Sequence, residues 1–221
     1  MNRLIISLLT LGLVSSLVFA GTPNKVMESN ITDTQFTISW ISQEPEIGLI
    51  KYSGTKTTLD KIAYDDRGSR TVSTTHYVTV TGLSPQTTYY YEIISGDTTV
   101  EDFELTTAEP VIPTGNDLVY GKIFQADGKT PAEDIIVYLR LQDYDNKGSQ
   151  DKSALYSTLV NCGGYWYVNL VNFRTQNLTR PFRYSSKGDH LLIQVEGGYL
   201  GNTTLEVDTK DDTPAPDLIL P

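Results

Sequence analysis

Few side chains in this sequence could carry out proton transfer or nucleophilic attack, since the chain has two histidines and one cysteine. His76 precedes one strand-like run and His190 begins another, so we expect both to be ordinary strand-end residues rather than general bases. The acidic pairs at 65–66 and 211–212 fall among turn residues, where carboxylates are mostly exposed. A nucleophile elbow of the form Gly-x-Ser-x-Gly does not occur. The sequence therefore predicts no catalytic residues and no enzyme.

Metal and cofactor sites are equally scarce. Two histidines and one cysteine cannot supply the usual four ligands of a structural zinc cage. The acidic run from Asp143 to Asp151 matches the first, third and sixth positions of a calcium loop, but Lys147 replaces an oxygen ligand and Ala154 replaces the bidentate glutamate. We expect a solvated loop with millimolar calcium affinity or none, the alternative being an isolated extracellular calcium site. Phosphate-loop, dinucleotide and zinc-hydrolase motifs are absent from the sequence, so no cofactor is expected.

The aromatic run Tyr165-Trp166-Tyr167 is the candidate for binding. Because side chains alternate along a strand, Trp166, Val168 and Leu170 would share one apolar face directed into a core. Tyr165 and Tyr167 would then lie outside, about 6–7 Å apart along the strand. At that spacing the two rings suit stacking on adjoining sugars or on a partner protein. The alternative is that they merely cover the sheet or pack on the polar loop at 142–153.

Strands must position these side chains, because the hydrophobic pattern has a period of two almost everywhere after residue 20. Alternation over short runs bounded by Gly, Pro, Asn and Asp is typical of an antiparallel β-sandwich. Such runs include 36–41, 77–81 and 89–94. We therefore predict an all-β fold with two consecutive immunoglobulin-like or prealbumin-like antiparallel β-sandwiches.

Composition and charge exclude several classes of protein. A hydrophobic fraction of 39% with 20% charged residues is globular rather than disordered or collagen-like. Seventeen basic against 27 acidic residues give a net charge of −10, which excludes a nucleic-acid binder that relies on phosphate contacts.

The first twenty residues have the features of a secretory signal peptide. Arg3 precedes an apolar run from Leu4 to Phe19, and Val18-Phe19-Ala20 fits a cleavage site before Gly21. An uncleaved anchor is the alternative reading. We expect a secreted, periplasmic or cell-surface protein that does not insert into a membrane after cleavage.

The mature chain is predicted to divide at residues 109–116, a stiff connector with Pro110 and Pro113. The domains are then 21–108 and 117–221, with few contacts between them. Cys162 could bridge to another chain or be buried as a small hydrophobe, and burial is favoured. Asn30, Asn177 and Asn202 each fit a glycosylation sequon, which matters only in a host with that machinery.

Residues 22–108 resemble a fibronectin type III domain. Trp40 lies in an early strand, and the run from Leu83 to Tyr89 fits the family's Leu-x-Pro-x-Thr-x-Tyr corner. The resemblance implies that the Tyr89 hydroxyl bonds back to the preceding loop, and that Tyr91 and Ile93 pack beside Trp40.

The segment 48–54 is similar to the third strand of the version that precedes the catalytic domain in purple acid phosphatases. The metal motifs of those enzymes, Gly-Asp-x-Gly and Gly-Asn-His-Glu, are absent from this sequence. The resemblance therefore implies the module without its enzyme.

Residues 117–220 resemble a carboxypeptidase-regulatory-like, or transthyretin-like, sandwich. The similarity lies in the order of the segments, with a turn at Asp127-Gly128 and a closing strand at 217–220.

Both families are mostly interaction platforms. The expected function is a non-catalytic secreted or cell-surface modular protein for interaction, adhesion or envelope assembly, with an extracellular protein or polysaccharide as partner. The alternative is a carbohydrate-binding accessory protein of a secreted hydrolase system. A line of exposed aromatic side chains would favour the alternative.

Overall fold

The computed structural model describes residues 22–221, so the predicted signal peptide at 1–20 lies outside the described residues. The described chain is built from strands with two short 3₁₀ turns, which confirms the all-β prediction. The first half contains six strands: β1 (Asn24–Ser29), β2 (Gln35–Ser53), β3 (Lys61–Tyr64), β4 (Val72–Thr81), β5 (Thr88–Ser95) and β6 (Thr98–Thr106).

The long strand β2 belongs to both layers of the first half. Its beginning pairs with β1 and β4, and its end pairs with β3 and β5, with a register shift between Ile41 and Glu46. Between the layers, Trp40, Tyr91 and Ile93 are buried in one cluster, as the resemblance implied. The Tyr89 hydroxyl accepts a hydrogen bond from the Ser84 N–H at 3.0 Å, which confirms the tyrosine corner.

The second half contains seven strands: β7 (Leu118–Phe124), β8 (Ile136–Gln142), β9 (Tyr156–Leu159), β10 (Tyr165–Asn169), β11 (His190–Glu196), β12 (Asn202–Asp208) and β13 (Leu218–Ile219). They form a three-stranded sheet in the order β10-β7-β13 and a four-stranded sheet in the order β12-β11-β8-β9. The closing strand β13 pairs with β7 in parallel, so the second half departs from the wholly antiparallel expectation. Its core lies between the two sheets.

Trp166 lies at the centre of that core and is fully buried. It is paired in register with Gly121 on β7, where a Cβ atom would lie only 2.9 Å from the indole ring. The glycine thus makes room for the large aromatic side chain, and any other residue at 121 would have to displace it.

The two halves are in extensive contact, so the expectation of few contacts between them is wrong. The outer face of the β8 sheet packs on the outer face of the β2–β4 layer through one apolar cluster. Its buried members are Ile41, Tyr77, Ile136, Tyr138 and Leu155. The Thr and Ser side chains that alternate with the apolar residues of β2 are therefore buried. The period-two pattern had predicted that this face of the strand is exposed to solvent. The boundaries at 108 and 117 stay a prediction.

Polar groups at this junction bond to one another across it. The Asn30 amide nitrogen donates to the Tyr77 hydroxyl at 2.8 Å and also bonds to Thr37 and Ser157, while its oxygen accepts from the Ser157 N–H at 2.9 Å. The hydroxyls of Ser39 and Tyr138 lie 2.8 Å apart. Because buried polar groups are costly when unpaired, these bonds fix one alignment of the two halves.

An ion-pair network closes one side of the junction. Arg67 binds Asp65 through Nε at 2.9 Å and reaches across to the Asp134 carboxylate at 2.9 Å. Its second guanidinium nitrogen also donates to the Thr75 carbonyl oxygen. Asp65 is 4% exposed, so the expectation of a solvated acidic pair is wrong at this position.

Two further ionisable side chains differ from the sequence expectations. His76 lies inside β4, is fully buried, stacks on Trp40 at 4.8 Å and has its Nε2 atom 2.9 Å from the Ser42 hydroxyl, so it is not a strand-end residue. Burial lowers the pKa of His76 to about 4. Asp212 is also buried, and burial together with the charge of Asp117 raises the pKa of Asp212 to about 6.

The structure places Cys162 at an exposed turn position instead of in the core, because it precedes β10 rather than lying in it.

The buried junction predicts that the full chain unfolds in a single cooperative transition. Calorimetry of residues 21–221 should give one peak, with the calorimetric and van't Hoff enthalpies equal. A Tyr138→Ala substitution removes a buried aromatic side chain from the junction and should lower the free energy of unfolding by about 3–5 kcal/mol, the range for truncating a large buried aromatic residue. Two resolved peaks in the wild-type protein would contradict this prediction.

The buried histidine and aspartate predict opposite dependences of stability on pH. Below about pH 6.5 the unfolded chain protonates its histidine while folded His76 stays neutral, so stability falls as the pH approaches 4. Folded Asp212 holds its proton up to about pH 6 while the unfolded chain loses it from about 3.8, so stability rises as the pH falls through that window.

Urea unfolding at several pH values separates the two effects. In Asp212→Asn the histidine term is no longer opposed by Asp212, and the free energy of unfolding should fall by up to about 1.4 kcal/mol per pH unit between pH 6 and 5. In His76→Gln it should rise over the same range. Identical pH slopes in the wild type and both variants would rule out these assignments.

Candidate functional site

The two candidate tyrosines lie on the outer side of β10, as predicted. Tyr165 is 46% exposed and Tyr167 61% exposed, whereas Trp166 and Val168 face the core. The register is therefore the expected one. A role in binding stays a prediction.

The pairing of β10 with β7 adds neighbours that the sequence alone did not bring together. Tyr167 lies opposite Tyr120 in the ladder, and Tyr165 lies opposite Lys122. Directly paired residues of antiparallel strands project on the same face, so these side chains form one surface. We call this surface the aromatic face. Its members are Leu118, Tyr120, Lys122, Phe124, Tyr165, Tyr167, Asn169 and Ile219.

The aromatic face is unusually apolar for a surface. Five of its eight side chains are large hydrophobic residues that remain between 39% and 61% exposed. Large contiguous apolar patches that are exposed and surrounded by polar residues usually belong to interaction sites. The alternation of Leu118, Tyr120, Lys122 and Phe124 along β7 was a signal for this face, but only the strand pairing shows that it adjoins the tyrosines of β10.

Lys122 is the one charged residue within the three strands of this sheet. Its Nζ atom lies 4.7 Å from the centroid of the Phe124 ring and 4.9 Å from that of Tyr165. Both contacts are within the distance at which an ammonium group is attracted to an aromatic ring. Lys122 forms no ion pair with any residue in the described range 22–221. Its charge is held against aromatic rings and is open to an outside partner.

The aromatic face continues into a groove at the junction of the two halves. Tyr167 and Leu118 line one side of this groove, which has a volume of about 590 Å³. Val111 and Pro113 of the connector line it as well, together with the loop at 30–35 of the first half. The groove extends the surface beyond the width of the sheet.

The charges at the groove are balanced within the protein. Arg174 is 4% exposed, and its guanidinium group bonds to the Asp33 carboxylate at 3.0 Å. It also donates to the Glu109 carbonyl oxygen at 2.7 Å. These bonds tie the connector to both halves and leave Lys122 as the cation that the surface presents.

The acidic loop brings together a set of carboxylates that differs from the sequence reading. Oxygen atoms of Asp143, Asp145 and Asp189 lie within 4.8 Å of one another, and Asp189 comes from the segment before β11 instead of from the loop. The Asp189 carboxylate already accepts the N–H groups of Tyr144 at 3.0 Å and Ser185 at 2.7 Å. The arrangement stabilises the loop by local hydrogen bonds, and weak or absent calcium binding stays a prediction.

Both histidines take part in structural contacts. His190 begins β11 as predicted, where its Nδ1 atom lies 2.7 Å from the Glu206 carboxylate and its ring stacks on Tyr144 at 4.0 Å. His76 is enclosed in the first half beside Trp40. The structure does not bring the two histidines together.

Comparison with known families finds one match, to the first half. Residues 23–107 match the family described as purple acid phosphatase, N-terminal domain. The matched range therefore covers β1 to β6 and ends before the aromatic face begins. The resemblance of residues 117–220 to a carboxypeptidase-regulatory-like sandwich stays a prediction.

Comparison with solved structures finds fibronectin type III arrays and an adhesin, all at low identity and low TM-score. Chicken CNTN1 domains FN1–FN3 are 12% identical, with 86% of this chain and 65% of that chain covered and a TM-score of 0.32. The central fibronectin III array of RIM-binding protein is 13% identical, with 88% and 65% covered and a TM-score of 0.29. The adhesin InvE of Yersinia pseudotuberculosis is 11% identical, with 83% and 58% covered and a TM-score of 0.25.

The chain thus spans about two thirds or less of the length of these structures. No curated protein sequence matches it. Within residues 22–221 there is no helix of the length and hydrophobicity needed to cross a membrane.

The carboxylate cluster predicts little response to calcium. A site with a dissociation constant of about 1 mM adds about 0.7 kcal/mol to the free energy of unfolding at about 2 mM calcium. We therefore expect the free energies of unfolding measured with urea in calcium and in EDTA to differ by no more than this amount. A larger stabilisation that disappears in Asp189→Asn would show a genuine site.

Proposed function

We propose that this protein is a non-catalytic, secreted or cell-surface interaction module whose contact surface is the aromatic face. The observation that carries the proposal is the set of exposed aromatic and aliphatic side chains on β7, β10 and β13. A monomer with no partner at this surface would leave that apolar area in water, which is unfavourable.

A binding role is further supported by the phosphatase-type domain. The matching family model is that of the N-terminal domain of purple acid phosphatases, and this sequence lacks the catalytic metal motifs of those enzymes. Each histidine already takes part in structural contacts, His76 with Trp40 and His190 with Glu206. The first half is therefore suited to support and present the second half rather than to catalyse a reaction.

The fixed junction suits such a presenting role. The hydrogen bonds between Asn30 and Ser157 and the ion pair of Arg67 with Asp134 hold the two halves in one alignment. A surface that is held rigidly loses less entropy when it binds, which favours affinity. Export of the mature chain from residue 21 and the carboxypeptidase-regulatory-like identity of the second half belong to this proposal.

The second candidate function is a carbohydrate-binding accessory protein. It is favoured by the row of Tyr165 and Tyr167 with Tyr120 beside them, because exposed aromatic rings in a line stack on the apolar faces of sugar rings. An adhesion or assembly protein and a sugar-binding protein would use the same face in different ways.

Replacing both candidate tyrosines tests the proposed surface. Tyr165→Ala combined with Tyr167→Ala removes two exposed rings, so the melting temperature should change by no more than about 2–3 °C, as for surface substitutions. Binding to a glycan array or to components of an envelope extract should fall at least about tenfold, because aromatic side chains are common hot spots.

The matched control replaces two exposed tyrosines elsewhere. Tyr64 on β3 is 48% exposed and Tyr199 is 81% exposed, and both lie outside the aromatic face. Tyr64→Ala with Tyr199→Ala should bind as the wild type does. Equal binding by the wild type and both double variants would remove the aromatic face from the proposed function.

A further inference from the structure

The aromatic face carries a positive charge on a strongly acidic protein. The chain has a net charge of −10, yet strands β7, β10 and β13 contain Lys122 and no Asp or Glu. The nearest acids in sequence are Asp117 and Asp217, which precede β7 and β13, and Asp127 in the turn after β7. The carboxylates of Asp117 and Asp127 accept hydrogen bonds from the hydroxyls of Tyr184 and Thr130. A protein of this net charge repels an anionic ligand on average, so a face with a cation and with no Asp or Glu in its strands is a favourable place for such a ligand.

The surroundings of Lys122 favour a ligand that combines an apolar surface with an acidic group. The ammonium group lies between the rings of Phe124 and Tyr165, so a negative group that reaches it must bring a body that lies against those rings. A pyranose ring with a carboxylate substituent has this combination, since its C–H face stacks on an aromatic ring and its carboxylate projects from the edge.

We propose that the aromatic face binds a polysaccharide that contains uronic acid units, with sugar rings stacked on Tyr165 and Tyr167 and one carboxylate paired with Lys122. The proposal rests on the proposed function of this face and names its ligand. Neighbouring tyrosines on one strand face are about 6–7 Å apart, so successive sugars of one chain can occupy them. The groove beyond Tyr167 then accommodates the continuing chain.

The charge of this ligand must be sparse. A single free lysine pairs with one carboxylate, and the Arg174 charge in the groove is already paired with Asp33. A densely sulfated chain would bring several negative charges for each cation on the face and would be repelled by the rest of this acidic protein. We therefore expect binding to polyuronates and not to heparin.

Affinity electrophoresis in gels that contain polygalacturonate, alginate or hyaluronan tests the proposal. Each polymer is compared with its methyl ester, which keeps the sugar rings and removes the charge. The wild type should be retarded by at least one acidic polymer. Its affinity for the methyl ester of that polymer should be about fivefold lower, which corresponds to the upper end for an exposed ion pair. Raising NaCl from about 50 to 300 mM should abolish that preference, because the Debye length shortens.

Two variants separate the charge from the stacking. Lys122→Met should bind the acidic polymer about fivefold more weakly and the ester unchanged, while Lys187→Met, an exposed lysine outside the face, should behave as the wild type. The double variant Tyr165→Ala with Tyr167→Ala should bind neither the acidic polymer nor its ester. These results together would establish the site.

Other outcomes would overturn the inference and leave the proposed function standing. They are retardation by acid and ester alike, tighter binding to heparin, or a Lys122→Met variant that keeps the preference for acid. Absence of retardation by every polyuronate would also overturn it. A protein partner, or a dimer seen by light scattering, that depended on the two tyrosines would then identify a protein as occupant. If the tyrosine substitutions changed no binding of any kind, the proposed function itself would fail.

Discussion

The buried contact between the two halves is the constraint on which the other features depend. Tyr77 and Tyr138 pack against each other's sheets, and their hydroxyls bond to Ser157 and Ser39 on the opposite half. An apolar contact alone would allow sliding, but polar atoms that lose their partners when shifted permit one register. The groove beside Tyr167 exists because this register holds the loop at 30–35 against the edge of the second half.

Local patterns were enough to predict much of the fold. Alternation placed Trp166 inside and Tyr165 with Tyr167 outside, and the Leu-x-Pro-x-Thr-x-Tyr run located the corner at Tyr89, because both features depend on residues close in sequence. The junction was missed for the opposite reason. A face of Thr and Ser on β2 has the pattern of a solvated face, and it is buried because the second half packs on it, with the Tyr138 hydroxyl as partner for Ser39.

The candidate site, like the fold, was predictable from the sequence only where it depends on residues close together in the chain. Two of its tyrosines follow from one strand, whereas Tyr120 and Lys122 join them through the pairing of β10 with β7 across about forty residues of chain. His76 shows the same dependence on distant residues, since its burial follows from Trp40 on the neighbouring strand. Sequence patterns therefore indicate which way a side chain points, and long-range pairing determines what it meets.

The position of Asn30 has a consequence for glycosylation. The amide nitrogen that would carry a sugar is the atom that donates to Tyr77 and Thr37 within the first half and to Ser157 across the junction. A glycan attached there before folding would keep the halves apart, and a folded protein hides the atom from a transferase. In a host that modifies sequons, occupancy at Asn30 would thus mark chains that never completed their assembly, whereas Asn177 and Asn202 remain exposed on the finished protein.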